Sequence, residues 1–221
     1  ISPEEPNLYD LIIVVRDVVY AGVVSIMNLL KNITELQVLC AHNSNPLTGL
    51  PGNLMIEEKL RCLLTNTVKF AVLYVDLNNF KAYNDKYGFE RGDHVLLMTA
   101  ETLSRALARE GQCEDFLGHI GGDDFFVIFR SADWEMRCWQ VISRFAEAVN
   151  NLLGVDERLR GGYMAESRRG ELNFQRLPAL SIGAVRVGAG ECESHREVAA
   201  AASSAKKQAK KQARNLHGES G

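Results

Sequence analysis

Three carboxylates raise the chemical question. Asp76 comes near the end of a dense apolar run, VKFAVLYVDL, and Asp123 and Asp124 follow the glycines of HIGGDDFFVIF. A charge at the end of a buried strand is costly unless it is paired or bound to a cation. Strand ends are also where sites open in α/β sheets. Adjacent carboxylates repel one another, and a divalent cation relieves that cost. Taken singly, Asp76 reads first as a surface aspartate and the acidic pair as a solvated turn. If the pair forms part of a regular strand, its two side chains point to opposite faces.

A second group of residues follows Asp76 in NNFKAYNDKYGFERGDHVLL. An Asn-rich turn running into a helix offers backbone N–H groups to an anion, and Lys81 adds a cation. Asn84 and Asp93 have the chemistry to read a purine edge, since a carboxylate accepts from both N1–H and N2–H₂ of guanine. The bland reading is a polar loop between helices. A third group lies near the C-terminus, where Lys206, Lys207, Lys210, Lys211 and Arg214 recur at roughly helical spacing. Such a run is commonly a solvated helix face or a weak nucleic-acid patch, and a phosphate clamp is the sharper alternative.

The elements that must position these groups can be read along the chain. LIIVVRD and VVYAGVVSI are β-branched and read as two strands joined at Asp17, followed by a helix through MNLLKNITELQVLCAH. NSNPLTGLPGN is dense in Pro, Gly and Asn and marks a domain boundary near Asn45. Beyond it come a helix in LMIEEKLRCLLTN, the central strand ending at Asp76, and a long helix from DHVLL with Asp93 available as its N-cap. DFLGHI and DDFFVIF read as two strands joined by Gly121 and Gly122, a two-residue hairpin signal. A helix through WEMRCWQVISRFAEAVNNLL, a hairpin around RRGE, a strand in LPALSIGAVRV and an Ala- and Lys-rich final helix complete the set. Strands and helices mix without strict alternation, which predicts an α/β sandwich containing antiparallel pairs.

Composition narrows the partners. The formal charge of the 221 residues is −3, so the chain as a whole exerts no pull on a nucleic-acid polymer or an anionic membrane. No apolar run approaches the roughly 20 residues of a membrane span, and ISPEEPNLYD has no signal-peptide pattern. A chain beginning on Ile1 is expected to be a piece of a longer protein. The five cysteines are dispersed with no C-x-x-C pair, which fits a reducing cytoplasm. With histidines equally scattered, a metal held by this chain is expected to be hard and bound by carboxylates.

Together, NPLTGLPGN, VDLNNFKAYNDKYGFERGD, GGDDF, LSIGAV and AKKQARN, in that order, resemble the GGDEF domain of the diguanylate cyclase family. The resemblance runs from about Asn45 to Asn215. It implies a nucleotidyl-cyclase-like fold of α/β (α+β) class, with a central mixed or antiparallel sheet flanked by helices and a GG hairpin at the active site. It implies the joining of two GTP into cyclic di-GMP with release of two pyrophosphates, by two domains facing one another as a homodimer. In that family Asp76, the Leu77 carbonyl and Asp123 would hold Mg²⁺ or Mn²⁺, with Asp124 supporting a second ion and Asp123 at the position of the proposed general base. Gly121 and Gly122 would let the nucleotide approach the backbone. Phe80 and Lys81 would cradle the terminal phosphates, Asn84 and Asp93 would read guanine, and Lys210 and Arg214 would reach the phosphates. The stretch between Val155 and Leu177, with GHIGGDDF, further resembles a subgroup in which EAL phosphodiesterase and CBS domains come first. Residues 1–44 then resemble the tail of a CBS domain with a linker helix, and 45–221 the GGDEF domain.

Three positions depart from the family pattern. Asp124 stands where the family usually carries Glu, one methylene or roughly 1.5 Å longer, and a misplacement on the scale of 1 Å can cost about 100-fold in rate. His119 stands where Arg is frequent. The family's product-inhibition motif, R-x-x-D, reads QCED here: Asp115 is kept, but Gln112 replaces the arginine and cannot make its charged bidentate contact. Two functional readings follow. One is an active cyclase. The other is a catalytically weak domain that binds GTP or cyclic di-GMP and regulates an attached EAL phosphodiesterase.

Overall fold

The structure, a computed structural model, describes residues 10–108, 115–166 and 172–218, and within them the side chains of all but 36, 37, 39–42, 166 and 212–218. The chain divides into two compact units, Ile1–Asn43 and Ser44–Gly221. In the first, β1 (Leu11–Arg16) and β2 (Val19–Ser25) form an antiparallel hairpin that runs straight into α1 (Ile26–His42). Asp17 and Val18 turn the hairpin at φ of 50° and 66°, positive at both positions as a tight two-residue turn between twisted strands requires.

The second unit is built on four antiparallel strands in the order β4 (Phe116–Gly121), β5 (Asp124–Phe129), β3 (Phe70–Asn78), β8 (Ala179–Val187). The mixed-or-antiparallel expectation resolves to a purely antiparallel sheet. Both its faces are covered, because side chains alternate along each strand. Leu73, Val75 and Leu77 of β3, with Phe125, Val127 and Phe129 of β5, pack against α3 (Phe80–Tyr87), α4 (Phe89–Leu107) and α5 (Trp134–Asn151). Val72, Phe126 and Ile128 pack the other face against α2 (Asn53–Thr65) and α7 (His195–Gly218). Helices on two sides explain why β3 is a continuous apolar run rather than an alternating one.

The amphipathic periods of α4 and α5 supply the core. Val95, Leu96, Ala100 and Leu103 of α4 meet Val141, Phe145 and Val149 of α5 over the sheet. A short α6 (Val155–Arg160), absent from the sequence reading, precedes β6 (Gly162–Glu166), which pairs with β7 (Leu172–Arg176). The RRGE segment, around which a hairpin is expected, lies outside the described residues.

Two local expectations are corrected. Asp93 does not cap α4. The helix begins at Phe89, four residues earlier, because Gly88 at φ 85° lets the chain leave α3 and enter α4 in one step. The β4–β5 turn is also not Gly121–Gly122. A register shift between His119 and Gly121 places Gly121 opposite Asp124, so the two turn residues are Gly122 and Asp123. Asp124 therefore starts β5, and Asp123 sits in the turn.

Candidate active site

That one-residue shift determines where the carboxylates go. Asp76 of β3 and Asp124 of β5 are direct cross-strand partners. They lie on the α7 face of the sheet, where α7 reaches both. Asp123 joins them from the turn rather than pointing to the opposite face, since it is not part of a strand. Acceptor atoms of Asp76, Asp123 and Asp124 all lie within 4.8 Å of one another. Asp76 is only 2% exposed, and the other two are half-buried.

Two lysines one turn apart on α7 answer this charge. Lys206 Nζ is 2.7 Å from Asp76 Oδ2 and also donates to Asp124 Oδ1. Lys210 Nζ pairs with Asp76 Oδ1 at 2.5 Å. Tyr74 donates its hydroxyl to Asp124 Oδ2 at 3.3 Å, and its ring lies 4.3 Å from the Lys206 ammonium. Burial alone would push the Asp76 carboxyl up, but the two ammonium groups outweigh it and hold the group below the ordinary carboxylate range. Asp124 moves the other way: burial and the neighbouring Asp76 raise it more than Lys206 lowers it. Burial opposes the charge on Lys206 too, yet Asp124 and Asp76 raise its ammonium above the ordinary lysine value. Lys206 belongs to the basic run of the final helix, and nothing in that run's spacing marks it for a place among the carboxylates. The helix gets this close because Gly183 of β8 has no side chain. A Cβ there would lie 2.2 Å from the Lys206 backbone nitrogen.

His119 holds the turn from beneath. Its ring is stacked on Phe125 and is 2% exposed. Nε2 lies 3.0 Å from the Gly122 carbonyl, which only accepts, so Nε2 carries the hydrogen; Nδ1, 2.9 Å from Thr48 Oγ1, accepts the hydroxyl proton. Burial lowers the imidazole's proton affinity below its ordinary value, against the pull of the Gly122 carbonyl and the nearby aspartates. The neutral ring thus ties Gly122 to the Asn45–Leu50 loop, within which Asn45 Oδ1 accepts from the Leu47 and Thr48 N–H groups.

Next to the cluster opens a cleft of about 760 Å³. Leu77, Phe80, Lys81, Asp123 and Lys210 line it, as do Asn79 at the left-handed start of α3 and Arg176 at the end of β7. The structure therefore brings together Asp76, Asp123, Asp124, Leu77, Phe80, Lys81 and Lys210. Asn84 and Asp93 do not line the cleft. Asn84 packs on Gly92, where a Cβ would stand 1.8 Å from its Oδ1, and that oxygen is buried without a hydrogen-bond partner among the described residues. Asp93 is exposed on α4. Gly121 and Gly122 lie at the turn beside the cluster. The side chain of Arg214 and the whole of Gln112 fall outside the described residues.

Asp115 is placed differently from the motif expectation. Its side chain is 3% exposed, and both oxygens are taken: Oδ1 accepts from the Arg130 N–H at 2.8 Å and Oδ2 from Arg137 Nη1 at 2.6 Å. Arg137, itself 1% exposed, also donates from Nε to the Ala106 carbonyl and from Nη1 to Ser131 Oγ. Asp115 thus joins β4 to α5 as a structural group.

The carboxylate cluster is a donor set for a hard metal ion, with oxygen ligands only. No described helix is long and apolar enough to cross a membrane. Comparison with protein families matches residues 42–161 to "Diguanylate cyclase, GGDEF domain". Among curated proteins, the chain is 34% identical over 103 residues to the bifunctional diguanylate cyclase/cyclic di-GMP phosphodiesterase MucR of Pseudomonas aeruginosa, covering 45% of this chain and 14% of that protein. It is 35% identical over 89 residues to the diguanylate cyclase DgcP of Escherichia coli, covering 38% of this chain and 25% of DgcP. The chain thus spans a minor part of either relative. Among solved structures, the fold is similar to the diguanylate cyclase SiaD of P. aeruginosa, with a TM-score of 0.57 at 21% identity over 84% of this chain and 65% of that one. It is also similar to the GGDEF domain of DgcB from Caulobacter crescentus, with a TM-score of 0.54 at 20% identity over 77% and 91%. With the antiparallel sheet, the carboxylates at the ends of its two inner strands and more than half of the chain matched, this chain belongs to the diguanylate cyclase GGDEF-domain family.

Proposed function

We propose that this chain is a catalytic GGDEF domain that condenses two GTP into cyclic di-GMP, releasing two pyrophosphates, with two copies facing each other. The observation that carries the reading is the convergence of Asp76, Asp123 and Asp124 at the rim of a cleft that Lys81 and Lys210 also line. Asp76, the Leu77 carbonyl, Asp123 and Asp124 would hold Mg²⁺ or Mn²⁺, which fits their all-oxygen chemistry. When bound, such an ion neutralises phosphate charge and orients the triphosphate.

The protein's own groups do the rest. Lys81, Lys210 and Arg214 attract the phosphates, and the backbone at Phe80 and Lys81 receives the terminal ones. Asn84 and Asp93, on α3 and α4 outside the lining of the cleft, are the positions that would read the guanine edge as the base reaches beyond it, and Gly92 leaves the space in which Asn84 sits. Gly121 and Gly122 let the nucleotide approach the turn. Asp123 accepts the proton of the 3′-hydroxyl as its oxygen bonds to the partner nucleotide's α-phosphorus and pyrophosphate departs. Positioning and charge neutralisation are the main catalytic resources of such a transfer.

A regulatory reading has one observation in its favour. Both oxygens of Asp76 are occupied by lysines, which suits a weakly catalytic domain that binds GTP or cyclic di-GMP and controls an attached phosphodiesterase. Likewise, the strand–strand–helix order of residues 11–42 supports a CBS-type tail with EAL and CBS domains upstream, and the dispersed cysteines support the cytoplasm. Incubation with GTP and Mg²⁺ followed by chromatography separates the two functions. Cyclic di-GMP from the wild type, lost in Asp76→Ala and Asp123→Ala, supports the cyclase. GTP binding without product supports the regulator.

A further inference from the structure

Lys206 occupies a socket. Its side chain is 15% exposed, and its ammonium touches one oxygen of Asp76, one of Asp124 and the face of Tyr74. The socket is built by the fold and not by side-chain reach alone. Gly183 lets the α7 backbone at Ala205 and Lys206 lie directly on β8, and β8 pairs with β3 so that Ser181 is opposite Asp76. Lys210, one turn on, differs. It is 34% exposed, contacts only Asp76 Oδ1 within the cluster, and lines the cleft. Lys210 can turn toward a nucleotide while α7 stays in place. Lys206 leaves the carboxylates only if α7 moves or the side chain is expelled.

An ammonium held between two carboxylates stands where a metal ion's charge would be needed. We propose that Lys206 is a tethered cation that competes with divalent metal for the Asp76–Asp124 pair, making this cluster bind a divalent ion more weakly than its three carboxylates otherwise would. The proposal rests on the metal-centred reading above and specifies how this chain sets its own metal affinity. In charge terms, three carboxylates facing two ammonium groups leave a net of one negative charge, and removing Lys206 leaves two. Of the four oxygens of Asp76 and Asp124, Lys206 holds one on each residue, Lys210 holds another, and Tyr74 donates to the fourth. A metal ion entering this pair must share these oxygens with the ammonium groups, whose charge opposes it, or displace them. Asp123, in the turn, is the carboxylate that Lys206 does not engage.

The test counts bound Mn²⁺ by electron paramagnetic resonance on the whole chain, comparing wild type with Lys206→Met, Lys206→Gln and Asp76→Asn. Loss of the ammonium should tighten Mn²⁺ binding by about 10- to 100-fold, the range over which neighbours of a metal site alter its affinity. Thermal unfolding provides a second measurement. The Lys206 variants should melt lower than wild type without metal, where like charges face each other, and should gain more from Mn²⁺ than wild type does. Lys206→Gln, which keeps a polar group in the socket, covers the case in which Lys206→Met does not fold. Unchanged or weaker Mn²⁺ binding in the Lys206 variants, with binding lost in Asp76→Asn, overturns the proposal and leaves the metal-centred reading standing. Mn²⁺ binding that survives Asp76→Asn overturns both.

Discussion

Asp76 and Asp124 stand directly opposite one another on β3 and β5, and one lysine, Lys206, contacts an oxygen of each. Lys206 and Lys210 hold Asp76 low against its burial, whereas burial and the neighbouring Asp76 push Asp124 up. Asp124 already reaches Lys206 and Tyr74 with its short side chain, so the departure from Glu is accommodated locally. Asp124→Asn is expected to lower turnover by about 100-fold, the loss typical of removing one charge-stabilising group. Asp124→Glu is expected to change it by less than about tenfold, because Asp124 already reaches its partners Lys206 and Tyr74. Steady-state formation of cyclic di-GMP by the two variants checks this. A large gain in Asp124→Glu would mean that the natural domain is attenuated at this position.

Gly183 couples the sheet to α7. A Cβ on it would meet backbone atoms of Ala205 and Lys206 at 2.5 and 2.2 Å, and backbone does not yield as a side chain would. Gly183→Ala should therefore move α7 and withdraw Lys206 and Lys210 from Asp76. The expected cost is about 1–3 kcal/mol of stability, the usual range for overpacking, together with loss of turnover. Thermal unfolding and product assays measure the two effects. A variant with wild-type stability and turnover would show that the helix is not held at this distance.

His119 makes the turn sensitive to pH. Its proton affinity is depressed in the folded state, mainly by burial, so the unfolded chain binds the proton more readily. Its contribution to stability is present above the ordinary value of about 6.5. It is lost as pH falls from there through the depressed folded-state value. Melting temperatures between pH 8 and pH 5 should fall more steeply in wild type than in His119→Gln. Parallel curves would rule out the buried neutral imidazole as the sensitive group.

Asp115 and Arg137 are a buried pair, and removing Asp115 leaves Arg137 buried with only the more distant Asp133, 3.9 Å away, as its acidic partner. Asp115→Ala should cost about 3–5 kcal/mol of stability, as broken buried ion pairs do. With Gln112 in place of arginine and both Asp115 oxygens engaged, the wild type should show little product inhibition. Calorimetric titration with cyclic di-GMP checks this second point. Sub-micromolar binding that disappears in Asp115→Ala, while that variant stays folded, would contradict it.

The parts legible in the sequence were those governed by local pattern. The apolar run of β3 predicted a central strand with Asp76 near its end, and helical spacing predicted the final basic helix. What escaped depended on distant partners or on a single residue of register. The shift at Ile120 moved the turn from Gly121–Gly122 to Gly122–Asp123, and no pattern in HIGGDDFFVIF announces it. Lys206 reads as one more exposed lysine until Gly183, 23 positions away, lets its helix settle on the sheet. Nothing in the sequence of WEMRCWQVISRFAEAVNNLL marks Arg137 for burial. Its burial becomes evident only when Asp115 and the Ala106 carbonyl are placed beside it. Asp93 reads as a cap because a carboxylate before an apolar helical run is the ordinary signal, whereas Gly88 starts the helix sooner.

The most direct test of the central claim is formation of cyclic di-GMP from GTP and Mg²⁺ by the purified chain, measured by chromatography beside Asp123→Asn and Asp76→Asn. Product from the wild type, reduced by at least about 100-fold in both variants, is the predicted result. Product formation that is undiminished in either variant would contradict the account, as would folded, GTP-binding wild-type protein that makes none.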